Sequence, residues 1–380
     1  MSVIGKAVGS VISLPSVGAL FTPLVHDRGV ILRLHRFRDA ELGIDGRDPQ
    51  ALRRVLEFLR RERYELLTLV EMIHRLAGDG RPLRRAVAVT IDDGYFDQAT
   101  VGAPLFAEFD CPVTTFVTTG FLDQKMWFWW DKITYVFDHT PRRDLRLIIG
   151  DSELRYYWED IQHRNRARED FKERCKAVRD ADKDAAIQSL AASAEVELPD
   201  RAPPKYSPMS WDQLRACEEG VMTFAPHTVN HPVLSQASAE QARREIEDSW
   251  RRLCDEAYRP IPIMAYPNGR LQDFGRREID VLKSLGFMGA VATETGYNDS
   301  SWFRANPDAR YMLRRFGNAD SLPHVAQFVS GFQRVKDVVR GEKSQLVRTG
   351  ELSLSGSRSE TRPHRYLDSV PRRNGSETPA

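Results

Sequence analysis

The chain has 380 residues, 41% of them hydrophobic, so it can bury a large core as one big domain or as a domain with appendages. Its 55 basic and 54 acidic residues nearly cancel, so no global field favours nucleic acid or an anionic membrane, and any charged partner must be read locally. The four cysteines, Cys111, Cys175, Cys217 and Cys254, form no C-x-x-C pair; they indicate neither a zinc knuckle nor a disulfide framework and fit a reducing, cytoplasmic setting.

The first 25 residues are apolar with one lysine, but Pro15, Pro23 and several glycines interrupt them before a spanning helix could form. Residues 1–29 are therefore expected to pack on the fold or to rest peripherally on a membrane surface. From residue 30 a rhythm sets in. "VILRLHRF" reads as a strand, "DPQALRRVLEFLRRE" as a helix, "ELLTLVEMIHRLAG" as a second helix ending at glycine, and "AVAVTI" as a buried strand. After the strand "CPVTTFVTT" the rhythm stops at Gly120. The aromatic "WFWWDKITYVF" follows, then a charged stretch in which Phe171, Cys175 and Val178 recur at helical spacing, so residues 121–208 read as a helical insertion or lid. Alternation resumes with "GVMTFAPH", a helix over 238–257 opened by a Ser238/Gln241 capping box, and the strands "PIPIMAYP" and "FMGAVAT". Residues 335–380 are rich in serine, arginine and glycine and read as a mobile tail. The alternation implies an α/β fold with a parallel sheet of about seven strands, as a barrel or an open doubly wound sheet. In both, chemistry gathers at the carboxyl ends of the strands.

At one such end stand Asp92 and Asp93, followed by Gly94. A plain turn accounts for Asp-Asp-Gly taken alone. A second feature changes this reading: "HTVNH" places His227 and His231 four residues apart just after "VMTFAP", and two imidazoles with one carboxylate complete a three-ligand metal site with open positions for water. One acid would bind the cation and the other take a proton from water. Two adjacent acids are electrostatically costly unless a cation lies beside them.

"TIDDGY", "HTVNH" and "AYPNG", in this order and each after a predicted strand, resemble the first three motifs of the polysaccharide deacetylase family, carbohydrate esterase family 4, over residues 30–334 outside the insertion. The resemblance implies a distorted (β/α) barrel that removes N-acetyl groups from glycans with a divalent metal, usually zinc. It implies Asp92 as catalytic base, Asp93, His227 and His231 as metal ligands, and the backbone N–H of Asn268, beside Pro267, as an oxyanion donor. Two positions depart from the family. Ala265 stands where an arginine often orients the base, with Arg270 near in sequence, and "YMLRRF" lacks the histidine of the family's Leu-x-His general-acid motif. His35, near the end of the first strand, and His324, in "SLPHV", are the candidates for that acid. Trp127, Phe128, Trp129 and Trp130 read as packing for the insertion or as faces for sugar rings, and Tyr95 and Asp97 as local supports.

The expected function is a metal-dependent carbohydrate N-deacetylase that releases acetate from an N-acetylated sugar or glycan. The alternatives are a related hydrolase of a formamide, O-acetyl ester or ureide, a glycan-binding protein without turnover, and a membrane-associated assembly component. The sugar, the choice among zinc, cobalt, nickel and iron, and the oligomeric state are not legible.

Overall fold

A computed structural model describes residues 9–14, 17–149, 152–317 and 321–339. Among the described residues there are ten short strands: β1 (Arg28–Leu34), β2 (Glu65–Leu66), β3 (Ala86–Asp93), β4 (Val113–Val117), β5 (Asp144–Ile149), β6 (Ser152–Tyr157), β7 (Met222–Pro226), β8 (Ile263–Ala265), β9 (Gly289–Val291) and β10 (Asn298–Asp299). The protein is an α/β fold with a mixed sheet. β1, β3, β4 and β7 lie side by side and parallel, β2 also pairs with β3, and β10 adds an antiparallel edge to β1. β8 and β9 form a separate parallel pair. Isolated bridges connect these groups: Phe224 to Pro260, Val291 to Leu313, and Phe316 to Leu32.

Helix signals in the sequence act as physical chemistry requires. Asp48 caps helix Pro49–Arg61, whose Leu52, Val55, Leu56, Phe58 and Leu59 face inward. Ser238 Oγ accepts the Gln241 N–H at the start of helix Ala239–Glu256. The second predicted helix is shorter than expected. Glu65 and Leu66 pair with β3 instead, and Thr68 caps a helix that begins at Leu69 and ends where Gly78 takes φ 102°.

Residues 121–208 are not purely helical, which corrects the sequence reading. β5 and β6 pair antiparallel, and β5 alternates exposed and buried residues as a half-buried strand does. These strands and helices Trp129–His139, Ile161–Lys176 and Asp180–Ser193 close over a core of Ile133, Phe137, Leu145, Leu147, Phe171 and Leu190, distinct from the cores around the main sheet.

The described part of the apolar N-terminal segment packs on the fold: Ile12 and Val25 are buried, and Phe21 meets Phe332 edge-on at 5.9 Å. Among the described residues no helix is long and apolar enough to cross a membrane. The tail predicted for 335–380 lies outside the described residues except for 335–339, which end helix Phe332–Val339.

Because Phe171 belongs to a core separate from the main sheet, Phe171→Ala is expected to cost about 3–5 kcal/mol in local stability. Limited proteolysis should then cut first within residues 140–200, before the main sheet opens.

Candidate functional site

Strand register brings the candidate residues together. Leu34 pairs with Ile91, so His35 follows β1 at the level of Asp92. Asp93 pairs with Val117, and Val117 with Pro226, so His227 leaves β7 beside Asp93. Alternation then sets the face. Ile31, Ala88, Ala225, Val291 and Leu313 share one interior core, and residues two or four further along the same strands are Arg33, His35, Asp92, His227, Thr293 and Arg315. This inner face becomes polar at the carboxyl ends and opens into a cavity of about 540 Å³ whose lining includes His35, Asp92, Asp93, His227, His231 and Asn268.

Asp93, His227 and His231 offer ligand atoms that all lie within 4.8 Å of one another, and all three residues are buried. Asp93 Oδ1 is 3.7 Å from His227 Nε2 and 3.8 Å from His231 Nε2. His227 Nδ1 is 2.7 Å from the Ala265 carbonyl. A carbonyl can only accept, so Nδ1 carries the proton and the Nε2 lone pair faces Asp93, the arrangement a metal-binding imidazole needs. His231 Nδ1 is buried without a hydrogen-bond partner among the described residues, and its ring is held by the edges and faces of Phe128 and Trp130 at 5.6 and 4.9 Å. Burial, then the neighbouring Asp92 and Asp131, pushes the Asp93 carboxyl well above its ordinary range, and burial drives both imidazoles down. A buried carboxyl and two imidazoles offer three donor atoms around one volume, and this donor set fits a divalent metal.

The loops that present these groups depend on unusual backbone. Asp93, Thr228, His231 and Asn268 all have positive φ, between 56° and 90°. Such residues cluster where surrounding structure holds them for function. The "HTVNH" loop is tied down by Glu245, whose buried carboxylate accepts the Val229 and Asn230 backbone N–H groups and the Asn230 side-chain amide at 2.8–2.9 Å. Thr228 Oγ1 accepts the His231 N–H. At the opposite side Gln98 donates to the His35 and Asp92 carbonyls at 2.7 and 2.6 Å, locking the ends of β1 and β3 together.

Asp92 makes a buried bidentate pair with Arg315, at 2.6 and 2.9 Å. Burial alone would raise the Asp92 carboxyl, but Arg315, with His227 and His35, holds it well below the usual carboxylate range. Arg315 was not among the candidates drawn from sequence, although it occupies the third position of Leu313-Arg314-Arg315, where the family's Leu-x-His motif has histidine. It also overturns the Arg270 alternative: Arg270 is exposed and makes no bond to Asp92.

His35 Nε2 lies 3.7 Å from Asp92 Oδ2 at the cavity rim, with 45% of its side chain exposed. His324 does not reach the site. It lies in helix Leu322–Ser330, its ring 6.4 Å from Phe328 and its Nδ1 3.2 Å from Ser321 Oγ. Asn268 lines the cavity with its carbonyl held by Thr293 Oγ1 at 2.6 Å, and its N–H makes no hydrogen bond among the described residues. The aromatic run divides: Trp127 and Phe128 are core, whereas Trp129 and Trp130 line the cavity. Trp130 Nε1 donates to Tyr95 Oη, which donates to Asp131 Oδ2 at 2.6 Å. Asp97 accepts the Phe37 N–H and the Arg36 guanidinium, so Tyr95 and Asp97 do support the site.

A family model described as polysaccharide deacetylase matches residues 79–290, more than half of the chain, and the chain belongs to that family. Among solved structures, the Streptococcus pyogenes deacetylase PplD in complex with acetate is 18% identical, with 80% of this chain and 98% of that one covered at a TM-score of 0.51. IcaB from Ammonifex degensii is 17% identical over 80% of this chain and 97% of its own, at a TM-score of 0.49. The deacetylase domain of BpsB from Bordetella bronchiseptica is 17% identical over 77% and 96%, at 0.45. The likeness to PplD is one of fold. No curated protein sequence matches the chain.

Two outcomes are expected. Glu245→Ala leaves three loop N–H groups without their acceptor and should weaken affinity for added Zn2+ about 10- to 100-fold, read by chelator competition. Asp131 is pushed up to about 6, chiefly by burial, whereas its unfolded value is 3.8. The folded chain thus keeps a proton the unfolded chain has lost, and stability falls as pH rises from about 4 through about 6. Asp131→Asn retains an acceptor for Tyr95. It should be neutral below about pH 4 and stabilise by about 2–3 kcal/mol above pH 7, measured by urea unfolding across that range.

Proposed function

We propose that the protein is a metal-dependent carbohydrate N-deacetylase that hydrolyses the N-acetyl amide of a sugar or glycan and releases acetate. The observation that carries this reading is the Asp93, His227 and His231 cluster, set directly beside an ionised Asp92 in an open cavity. Asp93 and the two histidine Nε2 atoms would hold the ion, most suitably Zn2+, which when bound supplies polarisation of the acetyl carbonyl and of water.

The other roles fall to the chain's own groups. Arg315 keeps Asp92 ionised and fixes the plane of its carboxylate, so that Asp92 takes a proton from the attacking water. The unengaged Asn268 N–H donates to the oxygen that gains negative charge. His35, whose Nε2 lies 3.7 Å from Asp92 Oδ2, relays the proton taken up by Asp92 to the leaving amine; burial pushes its imidazole down to about 4, so it is neutral at rest and takes its proton from Asp92. Trp129 and Trp130 give pyranose C–H faces an apolar wall. Residues 30–334 form the catalytic unit in this reading, with 121–208 as an insertion that supplies that wall. The bridges at Phe224, Val291 and Leu32 support a strand order that closes through β8, β9 and the Leu313–Phe316 segment into a distorted barrel of about seven strands.

Elemental analysis should find about one divalent ion per chain in the parent and sharply less in His231→Ala. With metal present, Asp92→Asn should lower kcat for acetate release roughly 10²- to 10⁴-fold, and His35→Gln should lower kcat with little change in KM. Absence of acetate from every N-acetylated glycan offered to the metal-loaded parent would overturn the reading.

A further inference from the structure

One wall of the cavity is built from cations. Arg164, Arg168, Lys172 and Lys176 recur every fourth residue along helix Ile161–Lys176, and the last three line the cavity together with Lys205. Their countercharges are few. Asp138 alone is shared by Arg164 at 3.5 Å, Arg168 at 3.7 Å and Lys205 at 3.9 Å, all beyond direct hydrogen-bond length. Glu169 serves both Arg168 and Lys172, at 3.0 and 3.3 Å, and Glu173 serves Lys176. With Asp131, whose charge acts on Lys172, four carboxylates face these five cations. Asp131 is also held by the Tyr95 hydroxyl, and Asp45, the remaining acid in the cavity outside the catalytic pair, belongs to the loop after β1.

A structural stripe would be expected to pair its charges in full, since an unpaired cation in a confined cleft is costly. Lys172 is only 16% exposed, and burial lowers its pKa despite Glu169. The wall carries a net positive charge. It also adjoins Trp129 and Trp130, where a sugar ring would lie.

Resting on the deacetylase reading, we propose that the substrate is an N-acetylated glycan carrying an anionic substituent, a carboxylate or a phosphate, which this wall binds while the neighbouring acetamido group occupies the site. Lys172 and Lys205 are then specificity residues, distinct from the groups that carry out hydrolysis. Phosphate and carboxylate share the chemistry this wall reads, and the probes separate them.

Three probes are offered to the metal-supplemented parent: a neutral N-acetylglucosamine tetrasaccharide, a tetrasaccharide alternating N-acetylglucosamine with glucuronate, and the neutral tetrasaccharide bearing a reducing-end phosphate. The readout is kcat/KM for acetate release, or the calorimetric Kd where no acetate appears. At low salt at least one charged probe should be favoured about ten-fold over the neutral one, and this preference should shrink at roughly 0.5 M salt. Lys172→Gln/Lys205→Gln should reduce the preference about five-fold, chiefly through KM; Lys176→Gln, at a half-exposed position, should reduce it less and serves if the double variant does not fold. A neutral probe used or bound as well as both charged ones, or no binding of any probe, overturns the inference. Tighter binding of a charged probe without acetate sinks the deacetylase reading and leaves the anionic ligand standing.

Discussion

Everything at the carboxyl ends of the strands depends on a buried ion pair between Asp92 and Arg315. A carboxylate this deep would normally take up a proton, and a second one, Asp93, stands next to it. The guanidinium meets Asp92 with two parallel bonds, donates its Nε–H to the Ala292 carbonyl, and comes near Thr90 Oγ1 at 3.3 Å, so it is itself nearly satisfied by the strands around it. One acid is thereby held ionised and fixed in orientation by protein groups, and its neighbour faces the two imidazoles. The difference between the two adjacent acids is thus one of partners. Asp92 has a guanidinium, and Asp93 has two imidazoles.

Geometry at the metal-type cluster is likewise set by groups that never enter it. Ala265 presents its backbone carbonyl to His227, and the guanidinium that pairs with Asp92 comes from Arg315. Glu245, from a helix, holds the loop between the histidines by three hydrogen bonds, and Gln98 ties two strand ends by two more. Rigid polar anchors of this kind permit the positive-φ residues that aim Asp93, His231 and Asn268 inward.

The segment between β4 and β7 contributes differently. It has its own hydrophobic core, yet its first helix sends Trp129 and Trp130 into the cavity and Asp131 to Tyr95, so it forms part of the site's wall. Trp130 packs directly against His231. The segment thus meets the site through Phe128 and Trp130 against His231 and through Asp131 at the Tyr95 hydroxyl, whereas helix Ile161–Lys176 lines the cavity farther out.

Much of this protein was legible from its sequence because the signals are local. β-branched runs, caps such as Asp48 and Ser238, and the stop at Gly78 act through neighbouring backbone groups, and Asp92, Asp93, His227 and His231 sit at recognisable spacings after strands. Register then turns those four positions into neighbours, since parallel pairing aligns Leu34 with Ile91 and Asp93 with Val117. Other features were decided only in three dimensions. The β5–β6 pair was hidden within a charged, helix-like stretch, and half of the second helix's expected first turn was drawn into β3's edge, because strand pairing depends on a partner that local propensity does not see. Arg315 lies 223 residues from Asp92, and nothing in "YMLRRF" distinguishes its arginine from Arg314 until alternation turns one inward and the other out. Of the two histidine candidates, a place at the end of a strand favours His35 over His324; β1 carries His35 to the cavity rim, and His324 lies on a helix away from it. Sequence by itself determined which chemical groups were available and which strands would carry them. The tertiary structure decided which groups share a buried volume, because only there do charge, desolvation and missing partners act on one another.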